Sequence, residues 1–160
     1  MASMAAASPM GYTLRDGMPL IVCADGVELA SGVLACVSST TRRRGLLGRT
    51  ALTREEGLLL VMPGRRRASS GFSTSIHTIG MRFPIAAAWL DPAGRVVHAV
   101  LAHPWRPNYA SPRPASYILE LHSGHLSGLQ PGVIVTWQPR PPAEMGRHGR
   151  GSVPSGGRGA

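Results

Sequence analysis

Short apolar runs separated by turn-forming residues are the main pattern along the chain, and they predict β-strands. Runs of about four to eight residues that are apolar, or that alternate between apolar and polar, are typical of strands when turn residues bound them. The predicted strands are residues 19–23, 27–37, 57–62, 74–78, 85–90, 95–101, 117–121 and 133–137, of which 27–37 is one bent strand or two short ones. Because Asp91-Pro92-Ala93-Gly94 has the residue preferences of a type I turn, the runs on its two sides predict a hairpin.

Residues 38–47 have the marks of a short helix instead. They begin with Ser38, Ser39 and Thr40, which favour helix N-caps, and end at glycines. Many short strands with one short helix predict a mainly β protein, a compact β-sandwich or barrel.

The two ends of the chain lack this pattern. The 160 residues suit a single domain, which we place at residues 18–137. Residues 1–17 are small and unpatterned, so we expect a poorly ordered N-terminal segment. Residues 138–160 are rich in glycine, proline and arginine and hold almost no large apolar side chain, so we expect a disordered basic tail.

The composition is strongly basic. All 17 basic residues are arginine, and with eight carboxylates the formal net charge is +9. Such a charge attracts anions, but the complete absence of lysine favours a compositional bias toward arginine over a dedicated nucleic-acid site.

The chain has few features that bear on its compartment. No run approaches about 18 apolar residues, so we expect no membrane span. The N-terminus lacks the basic start and leucine-rich run of a secretory signal, which predicts a cytoplasmic protein. Cys23 and Cys36 lie in apolar stretches, where buried free thiols are expected; the sequence leaves a disulfide between them open.

A series of motifs in a fixed order resembles an uncharacterised prokaryotic family, domain of unknown function one-nine-two. The motifs are RGLLGR (44–49), GLLL (57–60), HTIGMRFPI (77–85), the LD and GRVV of the hairpin (90–97), PWR (104–106), YILEL (117–121) and LQPG (129–132). The resemblance covers residues 20–137. It implies a compact β domain and supplies no activity.

Two positions depart from the family pattern. The family usually has aspartate where this chain has Ala86, and often has aspartate where it has Val133. Either carboxylate has a chemical role in relatives that this chain lacks, or it is structural, in which case Arg49 or Arg82 has lost a partner here.

The candidate site consists of cationic side chains from two segments. Arg44 and Arg49 flank a glycine-bounded turn, and guanidinium groups bind carboxylates and phosphates through paired hydrogen bonds. His77 and Arg82 lie in a polar stretch between two predicted strands. If the four converge, they form a site for an anionic small molecule or an acidic peptide. The alternative is structural: helix capping, ion pairs with glutamates, and a hydrogen-bonded histidine.

The sequence supports other functions less strongly than anion binding. A hydrolase needs His77 and Glu120 as an acid–base pair within hydrogen-bond reach. Non-specific nucleic-acid association would use the arginine clusters and the tail. Trp105 and Arg106 lie in a proline-rich loop that either contacts a ligand or, in the interpretation we favour, plugs one end of the fold. The sequence predicts no catalytic set, no metal site and no cofactor.

Overall fold

In the computed structural model of the chain, residues 6–63 and 74–142 are described. The strands are β1 (Ala6–Ala7), β2 (Thr13–Leu14), β3 (Pro19–Ala24), β4 (Val27–Cys36), β5 (Glu56–Val61), β6 (Ile85–Leu90), β7 (Val96–Ala102), β8 (Tyr117–His122) and β9 (Val135–Pro139). The helix α1 spans Ser39–Arg44, and a 3-10 helix spans Ser123–Gly128. Among the described residues, no helix is long and apolar enough to cross a membrane.

Seven strands form one curled sheet in the order β7-β6-β8-β5-β4-β3-β9. Strands β4 and β5 are parallel, and the other neighbours are antiparallel. The two edges approach each other, since Arg95 forms an isolated bridge with Ile134 and Val135 N donates to Gly94 O at 2.8 Å. The mainly β prediction is confirmed, and the architecture is a half-barrel.

Alternation along the strands gives the sheet two apolar faces. On β5, Leu59 and Val61 face one cluster of buried side chains, and Leu58 and Leu60 face the other. The first cluster contains Leu14 and Trp137, and the second contains Trp89. Both faces are covered over the central strands β5, β6 and β8, so a polar residue in the middle of these strands is buried whichever side it faces.

Two expectations at the level of single elements differ from the structure. Residues 74–78 do not form a strand of the sheet, because Ile76 makes only an isolated bridge to Tyr109. Residues 6–17 hold β1 and β2, and Leu14 is fully buried. The short N-terminal hairpin contributes this leucine to the first cluster, which a prediction from composition overlooks. Residues 143–160, most of the expected tail, lie outside the described residues.

The two positions that depart from the family pattern both lie on the first, apolar face of the sheet in this fold. Ala86 is fully buried and belongs to the first cluster, and Val133 packs against the same cluster. Arg49 has a partner without them, since its Nη1 lies 3.6 Å from Glu56 Oε1.

Asp16 fixes α1 to the sheet. Its Oδ1 accepts hydrogen bonds from Val37 N at 2.6 Å, Ser38 N at 3.0 Å and Thr41 Oγ1 at 2.6 Å. Burial raises the pKa of Asp16, but the hydrogen bonds from Thr41, Ser38 and Val37 outweigh it and lower the pKa to about 2. The Ser38 side chain adds the N-cap bond to Thr41 N at 3.2 Å.

Replacing Asp16 with alanine should therefore destabilise the protein. We expect Asp16→Ala to cost about 1–2 kcal/mol in the free energy of unfolding, measured by urea denaturation, since three donors lose a charged acceptor. Glu28→Ala is the control, because Glu28 is exposed on β4 and such surface changes stay within about 0.5 kcal/mol. Equal losses in the two variants would contradict the anchoring role.

Candidate functional site

The first wall of the candidate site is α1 with the turn that follows it. Arg42, half-buried on α1, donates to Val37 O and, at 3.1 Å, to Val61 O, which ties the helix to the end of β5. The helix ends at Gly45, where φ is 45°. This turn leaves Arg43 and Arg44 exposed and buries Leu46 against the second cluster.

The opposite wall is the segment that precedes β6. Trp89, fully buried on β6, donates its Nε1–H to Thr74 O at 2.6 Å. Ile76 exchanges two backbone hydrogen bonds with Tyr109, at 2.9 and 2.8 Å. These bonds hold residues 74–76 over the second face of the sheet, and the exposed His77 follows directly.

Between the walls lies a cavity of about 290 Å³, the first cavity. Its apolar lining includes Leu46, Leu60, Met62, Ile76, Met81 and Ile118. Its polar lining includes Arg43, Arg44, His77 and Glu120. The cavity therefore combines an apolar interior with cationic and imidazole groups that are exposed to solvent.

Glu120 is the one polar lining residue that is buried in its own right. Its side chain is on the second face of β8, level with Leu58 on β5 and Ala87 on β6. Only 6% of Glu120 is exposed. Burial raises the pKa of its carboxyl from 4.5 to about 7. Within residues 6–63 and 74–142, no hydrogen bond or ion pair to this carboxyl is found.

The three arginines and the histidine predicted as a site are divided between two adjacent cavities and the open surface. Arg44 and His77 share the first cavity. Arg44 and Arg49 share a second cavity of about 360 Å³ on the other side of the Gly45–Leu47 turn. Arg82 is exposed and lines neither. Arg49 is paired with Glu56, as the structural alternative predicted.

Cys36 lines the second cavity without the properties of a reactive thiol. Cys23 and Cys36 are both free. Burial, with Glu120 and Asp16 adding to it, raises the pKa of Cys36 to about 11. A thiol of this kind is almost wholly protonated at neutral pH and acts as a small apolar side chain.

The interpretation of Trp105 as a plug is wrong. Trp105 is 67% exposed, and its backbone has a positive φ of 61°. Hydrogen bonds to Thr78 hold this conformation: Trp105 N donates to Thr78 O at 2.9 Å, and Arg106 N donates to Thr78 Oγ1 at 2.9 Å. The loop turns Trp105 outward, whereas Thr78, to which it is hydrogen-bonded, is fully buried. Trp105 and Arg106 line neither the first nor the second cavity.

His122 and His125 both have backbone partners. His122 Nδ1 accepts from Gly124 N at 3.1 Å, and His125 Nε2 lies 2.8 Å from Arg54 O. No group of three His, Cys, Asp or Glu side chains suited to a metal ion occurs in the part of the chain that the structure describes.

Fold and site together define a mainly β half-barrel with an apolar, cation-rimmed cavity. Residues 21–137 match the model of the family DUF192, described as "Uncharacterized ACR", and the chain belongs to this family. The predicted resemblance is thus confirmed, and the family carries no activity to transfer. No curated protein matches the chain significantly.

Solved structures share the fold. A protein of unknown function from Novosphingobium aromaticivorans is similar with a TM-score of 0.62 and 21% identity, over 85% of this chain and 94% of that one. A Sinorhizobium meliloti protein named "putative transcription regulator" is similar with a TM-score of 0.60 and 17% identity, over 86% of this chain and 96% of that one. At sequence identities this low, the similarity shows a shared fold alone.

Proposed function

We propose that the protein is a binding module for a small anionic molecule, which it holds in the first cavity. The observation that carries this proposal is that Arg44 and His77 border the same cavity, whose interior is apolar. Pockets of this composition bind small molecules, because the apolar lining supplies affinity and a few polar groups fix orientation. The arginine guanidinium supports an anion through charge-assisted hydrogen bonds.

The rim has cations that are available to a ligand. Arg42 is engaged with the carbonyls of Val37 and Val61, whereas Arg43 and Arg44 are exposed. The salt bridge found among the described residues joins Arg49 to Glu56 and leaves Arg44 out. The net charge of +9 attracts anions to the protein as a whole. A cavity volume of about 290 Å³ suits a small molecule better than an acidic peptide.

Binding is favoured over hydrolysis because His77 and Glu120 are not hydrogen-bonded to each other. His77 and Glu120 line the same cavity, but no hydrogen bond joins them among the residues described. An acid–base pair needs such a bond or one bridging water.

A cytoplasmic location is proposed as well, since both cysteines are free thiols, the usual state in a reducing compartment.

Removing one rim cation should weaken the binding of a simple apolar anion. We expect hexanoate to bind at low salt, and Arg44→Gln to weaken binding about tenfold because a charge-assisted bond is lost. Isothermal titration calorimetry measures the change. Arg113→Gln is the matched control, since Arg113 is exposed and lines neither cavity.

Two results would contradict the proposal. One is that no carboxylate from butanoate to octanoate binds at low salt. The other is that Arg113→Gln weakens binding as much as Arg44→Gln does, which would indicate attraction to the overall positive charge.

A further inference from the structure

Glu120 gives the first cavity a second polar group that is distinct from its cationic rim. The carboxyl has apolar neighbours on the sheet, Leu58 and Ala87, and shares the cavity lining with Leu60, Ile118 and Met81. The residue is more than nine-tenths buried and borders the open volume of the cavity.

A carboxyl in this position has unused hydrogen-bonding capacity. An ionised carboxylate accepts several hydrogen bonds, and a protonated one both donates and accepts. The described residues make no hydrogen bond to it, and an unpaired buried polar group is costly. A ligand that fills the cavity with apolar surface alone would leave this group unpaired.

The charged groups around the cavity do not satisfy Glu120. Arg42 donates to the carbonyls of Val37 and Val61, and Arg43 and Arg44 are exposed on the rim. His77 is exposed on the opposite wall. Burial is the cause of the raised pKa of Glu120, with no cation counteracting it. The carboxyl is therefore open to a donor that enters with the ligand.

We propose that Glu120 makes the first cavity selective for apolar anions that carry a hydrogen-bond donor, a hydroxyl or an ammonium group, at the end remote from the negative charge. The inference rests on the proposed function, since the anion at the rim orients the ligand. With the anion on Arg44, the apolar body contacts Ile76 and Met81, and the donor reaches Glu120. A hydroxyl and an ammonium group would both donate a hydrogen bond to the carboxyl, and the variants of Glu120 distinguish between them.

The test compares three series of ligands on the full chain. Unsubstituted carboxylates from butanoate to octanoate are titrated beside their ω-hydroxy and ω-amino derivatives, so that one chain length spans rim and carboxyl. At that length we expect a derivative to bind about tenfold more tightly than its parent, the effect of one hydrogen bond to a buried group.

Two variants of Glu120 and one of Arg44 locate the preference. Glu120→Met should abolish it while the parent carboxylates still bind. Glu120→Gln should keep a hydroxyl preference, because the amide still accepts a hydrogen bond, and should remove an ammonium preference, because the counter-charge is lost. Arg44→Gln should weaken parent and derivative equally.

The outcomes separate this inference from the proposal on which it rests. Parent carboxylates that bind with no preference for either derivative at any chain length overturn the inference alone. A preference that survives in Glu120→Met overturns it too. If no carboxylate binds at all, both the inference and the proposed function fail.

Discussion

The protein is expected to lose stability as the pH rises from about 5 to about 8, and Glu120 is the reason. In the folded state its pKa is raised to about 7, against 4.5 for an unperturbed glutamate. The folded state therefore binds more protons than the unfolded state between these values, so its stability falls as the pH rises through them. A tenfold change in an acid dissociation constant corresponds to about 1.4 kcal/mol, which gives an expected loss of about 2–3 kcal/mol.

Glu120→Gln isolates this effect. The variant has nothing to titrate at position 120, so subtracting its free energy of unfolding from that of the wild type at each pH leaves the contribution of Glu120. The subtraction also cancels the contribution of His98. Burial lowers the pKa of His98, so its contribution to stability changes with pH in the opposite direction. Asp16 and Glu56, with lowered pKa values, titrate in more acidic solution. A difference between the two proteins that stays constant from about pH 5 to pH 8 would contradict the account.

Gly94→Ala should destabilise the protein by about 3 kcal/mol or more, because two costs add. Gly94 has φ of 86°, a conformation that costs a residue with a side chain about 1–2 kcal/mol. A Cβ at this position would also meet Val135 O, a backbone atom that cannot move aside cheaply. The hydrogen bond from Val135 N to Gly94 O closes the hairpin turn onto β9, so moving the turn breaks the contact between the two edges of the sheet.

Gly26→Ala is the matched control for chemical denaturation. Gly26 has φ of 81°, nearly the same as Gly94, but nothing lies within 4 Å of an added Cβ. We expect it to show the conformational cost alone, about 1–2 kcal/mol. If the two variants lose the same stability, the approach of the turn to β9 contributes nothing to the fold.

The strands were predictable from the sequence because their patterning is local. The alternation and turn signals place β3, β5, β6, β7 and β8 within a residue or two, and Asp91–Gly94 forms the expected turn, with Gly94 N donating to Asp91 O at 3.0 Å. The parallel pairing of β4 with β5 and the contact between the sheet edges depend on distant parts of the chain, which periodicity does not encode. Residues 74–78 have a strand-like composition, but Trp89 and Tyr109 hold them off the sheet.

The candidate site was predictable only in part. A turn and a polar stretch led to Arg44 and His77, which share a cavity. The sequence did not show that Arg49 lines a different cavity, because its position on the other side of the turn depends on how α1 packs on the sheet. Alternation in β8 places Glu120 on the face opposite Leu119 and Leu121, and alternation alone does not show whether that face is covered. The covering of that side by α1 and residues 74–81, which buries the carboxyl, is a tertiary feature.

The most direct test of the account is an NMR titration of the isotope-labelled protein with hexanoate at low salt, with backbone amide shifts as the readout. We predict saturable shifts at Gly45, Leu46, Ile76 and His77, around the first cavity. No shift is expected at Cys23 or Thr136, which line a separate cavity of about 210 Å³ beside β3 and β9. Shifts confined to that other cavity would contradict the assignment of the first cavity as the binding site. Shifts of similar size at exposed arginines such as Arg113 would contradict it too.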